Sequence, residues 1–115
     1  MNVIVTDTGF AEDDWPGEIC DLPCDSDPAS LETVLNEALV RITFPSSSDG
    51  RGFTLARLLR LRGFRGRLRA AGHVIADQYA MVRRAGFDEV EIDDALAKRQ
   101  PEDQWLFRAD WRAHD

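Results

Sequence analysis

The run Gly63-Phe64-Arg65-Gly66-Arg67-Leu68-Arg69-Ala70-Ala71-Gly72 leads out of a helical pattern into a strand, and Gly86-Phe87 repeats its opening 23 residues later. Before Gly63, Leu55, Leu58 and Leu59 share one helical face, with Arg57 and Arg60 pointing away. Before Gly86, Ile75, Gln78, Tyr79 and Val82 mark a second helix. Each glycine suits the left-handed position that follows a helix, and each phenylalanine can pack back on the helix end. A short strand follows both, at 67–71 and at 89–92. A strand–helix unit of this length is too long for a hairpin. It fits parallel strands joined by right-handed helical crossovers.

Working outward, Val40-Arg41-Ile42-Thr43-Phe44 alternates and stops at Pro45, which reads as the preceding strand. Val3-Ile4-Val5-Thr6 is a β-branched run ending in the turn Asp7-Thr8-Gly9. The expected fold is therefore α/β, a single domain over residues 1–115. Its small parallel sheet has about four strands, near 3–6, 41–45, 67–71 and 89–92, with helical crossovers. Both a flavodoxin-like three-layer sheet and a half-β/α-barrel-like arrangement fit. Residues 11–27 are acidic, hold two prolines and read as a surface loop, with room for a short strand at Glu18-Ile19-Cys20. Asp27 as N-cap and Pro28 at the first helical position start a helix of about three turns, its apolar face being Leu31, Val34, Leu35, Ala38 and Leu39. Thr54 is the candidate N-cap of the helix at 54–62. The tail at 100–115 is aromatic and either packs back on the domain or forms an oligomer contact.

Composition narrows the function classes. The formal net charge of −7 argues against general nucleic-acid binding. No apolar run approaches a membrane span, and the start Met1-Asn2-Val3 lacks a secretory pattern, so a cytoplasmic protein with no membrane partner is expected. The charge is uneven. Residues 1–50 hold one basic residue and eleven acids, whereas residues 51–84 hold nine arginines and one acid, Asp77. Such a middle either pairs internally with its flanks or offers a surface to an anion or an acidic partner. A homodimer pairing these halves is a further possibility.

In parallel α/β sheets ligands gather at the carboxyl ends of the strands. Here those ends are Ser46 to Gly52, Gly72 to Asp77, and Asp93-Asp94. In the first, Gly50 and Gly52 allow close backbone approach, a helix N-terminus follows, and Arg51 adds a charged fork. Together they suit a small oxyanion, although the loop is neither a P-loop nor a dinucleotide fingerprint. The bland alternative is a tight turn capped by Asp49, with Arg51 paired to a carboxylate. His73 and Asp77 stand at i, i+4 and could orient an imidazole, or Asp77 could simply tie loops together. Cys20 and Cys24 have three residues between them and acidic neighbours. This departs from a thioredoxin-type pair, and zinc would need two further ligands, for which His73 and His114 are the remaining histidines. Reduced thiols and no metal are expected.

A set of short stretches also resembles a known family. It comprises Phe44-Pro45, Asp49-Gly50-Arg51-Gly52-Phe53, Ala56-Arg57-Leu58-Leu59-Arg60, Gly63-Phe64-Arg65-Gly66, Leu68-Arg69-Ala70, Gly72, Val74, Asp77-Gln78 and Gly86-Phe87-Asp88. In order and spacing these are similar to a bacterial domain-of-unknown-function family described as oxidoreductases involved in sulfite reduction, and the likeness covers about residues 40–92. Members tend to be encoded beside assimilatory sulfite reductase. The family usually has an aromatic where Ser47 stands and an acid where His73 stands, which removes His73 as a shared catalytic residue. The resemblance implies a role in sulfur assimilation, with sulfite reductase as a partner. The residues themselves carry no flavin, haem, nicotinamide or iron–sulfur motif, so no cofactor is expected. The expected function is an accessory protein of assimilatory sulfite reduction that acts by binding, with Asp49, Gly50, Arg51, Gly52, Asp77 and Gln78 as its ligand or partner site. The alternative is a small enzyme acting on a phosphorylated or sulfur-oxyanion ligand at that place, with Asp49 or Asp77 as base.

Overall fold

In the computed structural model, which describes residues 2–114, Gly63 and Gly86 both take left-handed backbone, with φ +98° and +115°. They end helices α1 (Arg51–Leu61) and α2 (Tyr79–Ala85), and Phe64 and Phe87 are buried behind them. The repeat extends further than the glycines. Arg60 and Arg83 stand three residues before their glycines, and each guanidinium donates to the carbonyl oxygen of its own phenylalanine. A cation and N–H donors thus meet the negative end of each helix, where carbonyl groups lack intrahelical partners. Arg-x-x-Gly-Phe is a helix-end clamp used twice, and it accounts for two of the arginines in the basic middle.

The strands are β1 (Val3–Thr6), β2 (Gly9–Glu12), β3 (Cys20–Pro23), β4 (Leu39–Phe44), β5 (Arg67–Gly72) and β6 (Glu89–Ile92). Among the described residues they form one six-stranded sheet in the order β2-β1-β6-β5-β4-β3. β3, β4, β5 and β6 are successive parallel neighbours, as expected for the strands holding Ile42, Leu68 and Val90. The sheet therefore has six strands rather than four, and it is not wholly parallel. β1 pairs antiparallel with both β6 and β2. For β2 the reason is local: Thr6 pairs with Gly9 across the two-residue turn Asp7-Thr8, and Gly9 has φ +118°. A turn this short makes a hairpin, and the chain has no crossover with which to run parallel.

The parallel strands lie side by side in chain order, so every crossover steps the same way. Right-handed crossovers then place all the connecting helices on one face. That excludes the three-layer alternative and matches the strand succession of half a β/α barrel. On the helix face, Val40, Ile42, Phe44, Leu68, Ala70 and Val90 meet Leu55, Leu59, Tyr79 and Val82 in the core. The segment expected to make three helical turns is a 3-10 helix, Pro28–Val34, with Asp27 accepting from the Ala29 N–H at 2.9 Å. It stops early because Leu39 is buried in β4 and cannot also serve a helix. α1 begins at Arg51 with Gly50 at the cap position, so Thr54 lies inside the helix and caps nothing.

The tail packs back on the domain. Asp93 caps α3 (Asp94–Arg99) through the Leu96 N–H at 2.8 Å, and α4 (Glu102–Leu106) follows. A last 3-10 turn, Trp111–His114, closes the described chain. Among the described residues no helix is long and apolar enough to cross a membrane.

The opposite face of the sheet carries charge. Asp21, Arg41, Arg69 and Glu89 stand side by side across β3–β6. Two arginines would repel in the middle of that row. Glu91 lies between them, 2.9 Å from Arg69 and 3.2 Å from Arg41. Arg69 is 1% exposed and also binds Glu89 at 2.7 Å and Asp13 at 3.0 Å. Among the described residues no buried side-chain nitrogen or oxygen lacks a hydrogen-bond partner.

Candidate functional site

Two loops leave the carboxyl ends of β4 and β5, and Gln78 ties them together. Its side-chain oxygen accepts from the Ile75 N–H at 3.1 Å, and its amide nitrogen donates to the Ser47 carbonyl. Ser47, Asp49, Gly50, Phe53, Gln78 and Met81 line a shallow hollow of about 230 Å³ there. Asp49, Gly50 and Gln78 are thus brought together. Arg51 lines the neighbouring hollow of about 250 Å³ with Cys24, Asp25 and Ser26. Asp77 does not join them: it is 69% exposed and pairs with Arg108 of the tail at 2.5 Å.

Asp49 and Arg51 form a closed pair. The Arg51 backbone N–H and Nε donate to Asp49 Oδ1 at 3.0 and 3.1 Å, and a terminal nitrogen donates to Oδ2 at 2.7 Å. The hydrogen bonds from Arg51 hold the Asp49 carboxyl at about 2. Such a carboxylate is ionised, already engaged and a poor proton acceptor near neutral pH. The Arg51 side chain remains 58% exposed, so the far side of its fork faces solvent. Cys24 adds a thiol, its Sγ 3.7 Å from Asp49 Oδ2.

The glycines beside this pair have different reasons to be there. A Cβ on Gly50 would meet nothing within 4 Å. A Cβ on Gly52 would lie 2.5 Å from the Phe44 ring. Gly52 is therefore a packing glycine under α1, and it does not admit a ligand. Gly52→Ala should destabilise the fold by about 1–3 kcal/mol through overpacking. Gly50→Ala should stay within about 0.5 kcal/mol, as an exposed change away from special geometry. Denaturant unfolding of the two variants checks both.

The His73–Asp77 pair is not made. Asp77 is held by Arg108, and His73 lies in a separate cavity with Arg41, Thr43, Glu91, Asp93 and, from α3, Arg99. Burial and then nearby acids (Glu37 and Asp21 for Cys20, Asp49 for Cys24) push both thiols up, which disfavours thiolate chemistry. Both cysteines are free. Among the described residues no group of three or more His, Cys, Asp and Glu side chains is placed to hold a metal ion. The His114 side chain lies outside the described residues.

Reading the sequence for loops missed the charged sheet face and Arg99. A signal for the former was present. Arg41 on β4, Arg67 and Arg69 on β5, and Glu89 and Glu91 on β6 occupy alternate positions, with opposite signs on adjoining strands β5 and β6. A family model described as a bacterial protein of unknown function, DUF934, matches residues 20–109. No curated protein and no solved structure matches the chain.

Proposed function

Since the chain belongs to this DUF934 family of bacterial proteins of unknown function, we propose that it is an accessory protein of assimilatory sulfite reduction, acting by binding at the carboxyl edge of its sheet and performing no redox step of its own. The sulfur role rests on the resemblance of the Asp49-Gly50-Arg51-Gly52 and Asp77-Gln78 stretches to proteins encoded beside sulfite reductase. The mode of action rests on one observation above the others. Asp49 is fixed by Arg51 and held at about 2, which suits a rigid recognition element and not a general base. Gln78 stiffens the same edge by joining its two loops. The exposed side of the Arg51 fork would take a carboxylate of the partner, with sulfite reductase as that partner. Lysine would not reproduce this geometry.

Growth on sulfate as sole sulfur source tests the reading. A strain lacking the gene should grow poorly. Wild type and Arg57→Lys, on the outer face of α1, should restore growth, while Arg51→Ala should not. Full growth of the strain without any copy would remove the sulfur role, and full rescue by Arg51→Ala would remove the site.

A further inference from the structure

We propose that the side of the carboxyl edge facing away from α1 and α2 holds a second site, for a small molecule carrying an oxyanion group, built from Arg99 at the end of α3, His73 and Thr43. It is separate from the Asp49–Arg51 loop and does not depend on the sulfur reading. The cavity has a volume of about 480 Å³ and lies at the ends of β4, β5 and β6. Ligands of parallel sheets collect at such an edge, and a cavity of this size has room for an organic body as well as the oxyanion.

The chemistry follows from which groups are already used. Arg41 is held in a two-pronged pair with Asp21, at 2.6 and 3.0 Å, and reaches Glu91 at 3.2 Å. Glu91 in turn accepts a hydrogen bond from the Asn2 amide at 2.8 Å and is ion-paired with Arg69 at 2.9 Å. One oxygen of Asp93 caps the Leu96 N–H. The Arg99 guanidinium, the His73 imidazole and the Thr43 hydroxyl face solvent, with no hydrogen-bond or ion-pair partner among the described residues. Arginine is a pure donor, and histidine and threonine both donate readily, so an acceptor-rich anion is their natural complement. The remaining Asp93 oxygen would accept from a hydroxyl or amine on the body of the ligand.

The backbone holds this set in place. Gly72, with φ +89°, turns the chain as it leaves β5, and the His73 N–H donates to the Phe44 carbonyl at 3.1 Å. The face is also sorted by charge. Across the Arg41–Glu91 bridge a second hollow is lined by Glu12 and Asp13, which would repel an anion. Arg99 and His73 line the hollow at the ligand-collecting edge and not this second one.

The test is a nuclear magnetic resonance titration of the full chain with sodium sulfate and, separately, sodium phosphate, each against sodium chloride at matched ionic strength. Saturable shifts of the His73, Thr43 and Arg99 side-chain signals with either oxyanion are expected. Arg99→Ala should weaken binding by at least about tenfold, the loss of one charge-assisted pair, while Arg57→Ala should bind as wild type. Shifts that chloride reproduces, shifts centred on Arg51, or wild-type affinity in Arg99→Ala would each overturn the proposal.

Discussion

Arg69→Ala should lower the free energy of unfolding by about 3–5 kcal/mol, the largest single loss expected in the sheet. The side chain is 1% exposed and lies between Glu89, Glu91 and Asp13. Removing it leaves two carboxylates, Glu89 and Glu91, buried beside a void, with Arg41 and the Asn2 amide still on Glu91 and Arg67 still 3.6 Å from Glu89. The cost is that of buried charge left with too few partners, which exceeds the worth of the ion pairs themselves. Arg69→Met with Glu89→Leu should therefore be less destabilised than Arg69→Met alone, because the pair leaves together. The dependence on pH has a definite sign. Burial pushes Glu91 up, but hydrogen bonds from Asn2 and Arg69 and the charge of Arg41 bring it below its ordinary value. Asp13 is lowered chiefly by its hydrogen bonds from Arg69. Groups lowered on folding stabilise the protein above their unfolded pKa, at about pH 4, and that contribution is lost as pH falls through the folded value. In Arg69→Ala the burial of Glu91 is no longer offset by that arginine, and protonation relieves the penalty. The gap between variant and wild type should be widest at neutral pH and narrow toward pH 4. Urea unfolding across that range measures it.

Trp105→Ala should cost a comparable amount, about 3–5 kcal/mol. Trp105 is 1% exposed. Its indole N–H donates to the Gln100 carbonyl at 2.9 Å, and its ring meets Tyr79 edge-on at 6.2 Å. Tyr79 in turn donates its hydroxyl to Asp7, which also binds Arg83 and the Trp111 indole. Trp105 thus closes a chain of contacts from α4 through α2 to the β1–β2 turn. Phe107, two positions later, is 83% exposed, and Phe107→Ala should change stability by no more than about 0.5 kcal/mol. Thermal unfolding of the two variants separates a tail that belongs to the core from one merely lying on it. Equal losses in both would contradict this account of the tail.

These contacts show which parts of the fold a single sequence exposes. The parallel strands holding Ile42, Leu68 and Val90 were legible because Gly63-Phe64 and Gly86-Phe87 mark helix ends, and helix-end chemistry is local. The direction of β1 was not, since Asp7-Thr8-Gly9 reads as a turn whichever neighbour the strand later takes. The 3-10 helix at Pro28–Val34 carried the expected Asp27 and Pro28 start. Its end depended on Leu39 being claimed by the sheet, which only tertiary packing decides.

The site was partly legible for the same reason. Placing Asp49 and Gln78 at one edge needs only strand direction. The side-chain partners lay beyond it: Asp77 reaches Arg108 across 31 positions of chain, and Gly52 is required by a ring eight residues upstream. The arginines of the middle divide between uses the sequence does not separate. Arg60 and Arg83 clamp helix ends, Arg69 is buried in the sheet face, and Arg51 alone stands on the proposed docking edge.

Direct binding of the purified chain to purified assimilatory sulfite reductase, followed by calorimetry, tests the proposed function most directly. Saturable association is predicted, weakened at least about tenfold by Arg51→Ala, as for an arginine central to an interface, and unchanged by Arg57→Ala. No saturable heat with folded wild-type chain, or equal affinity for wild type and Arg51→Ala, would contradict it.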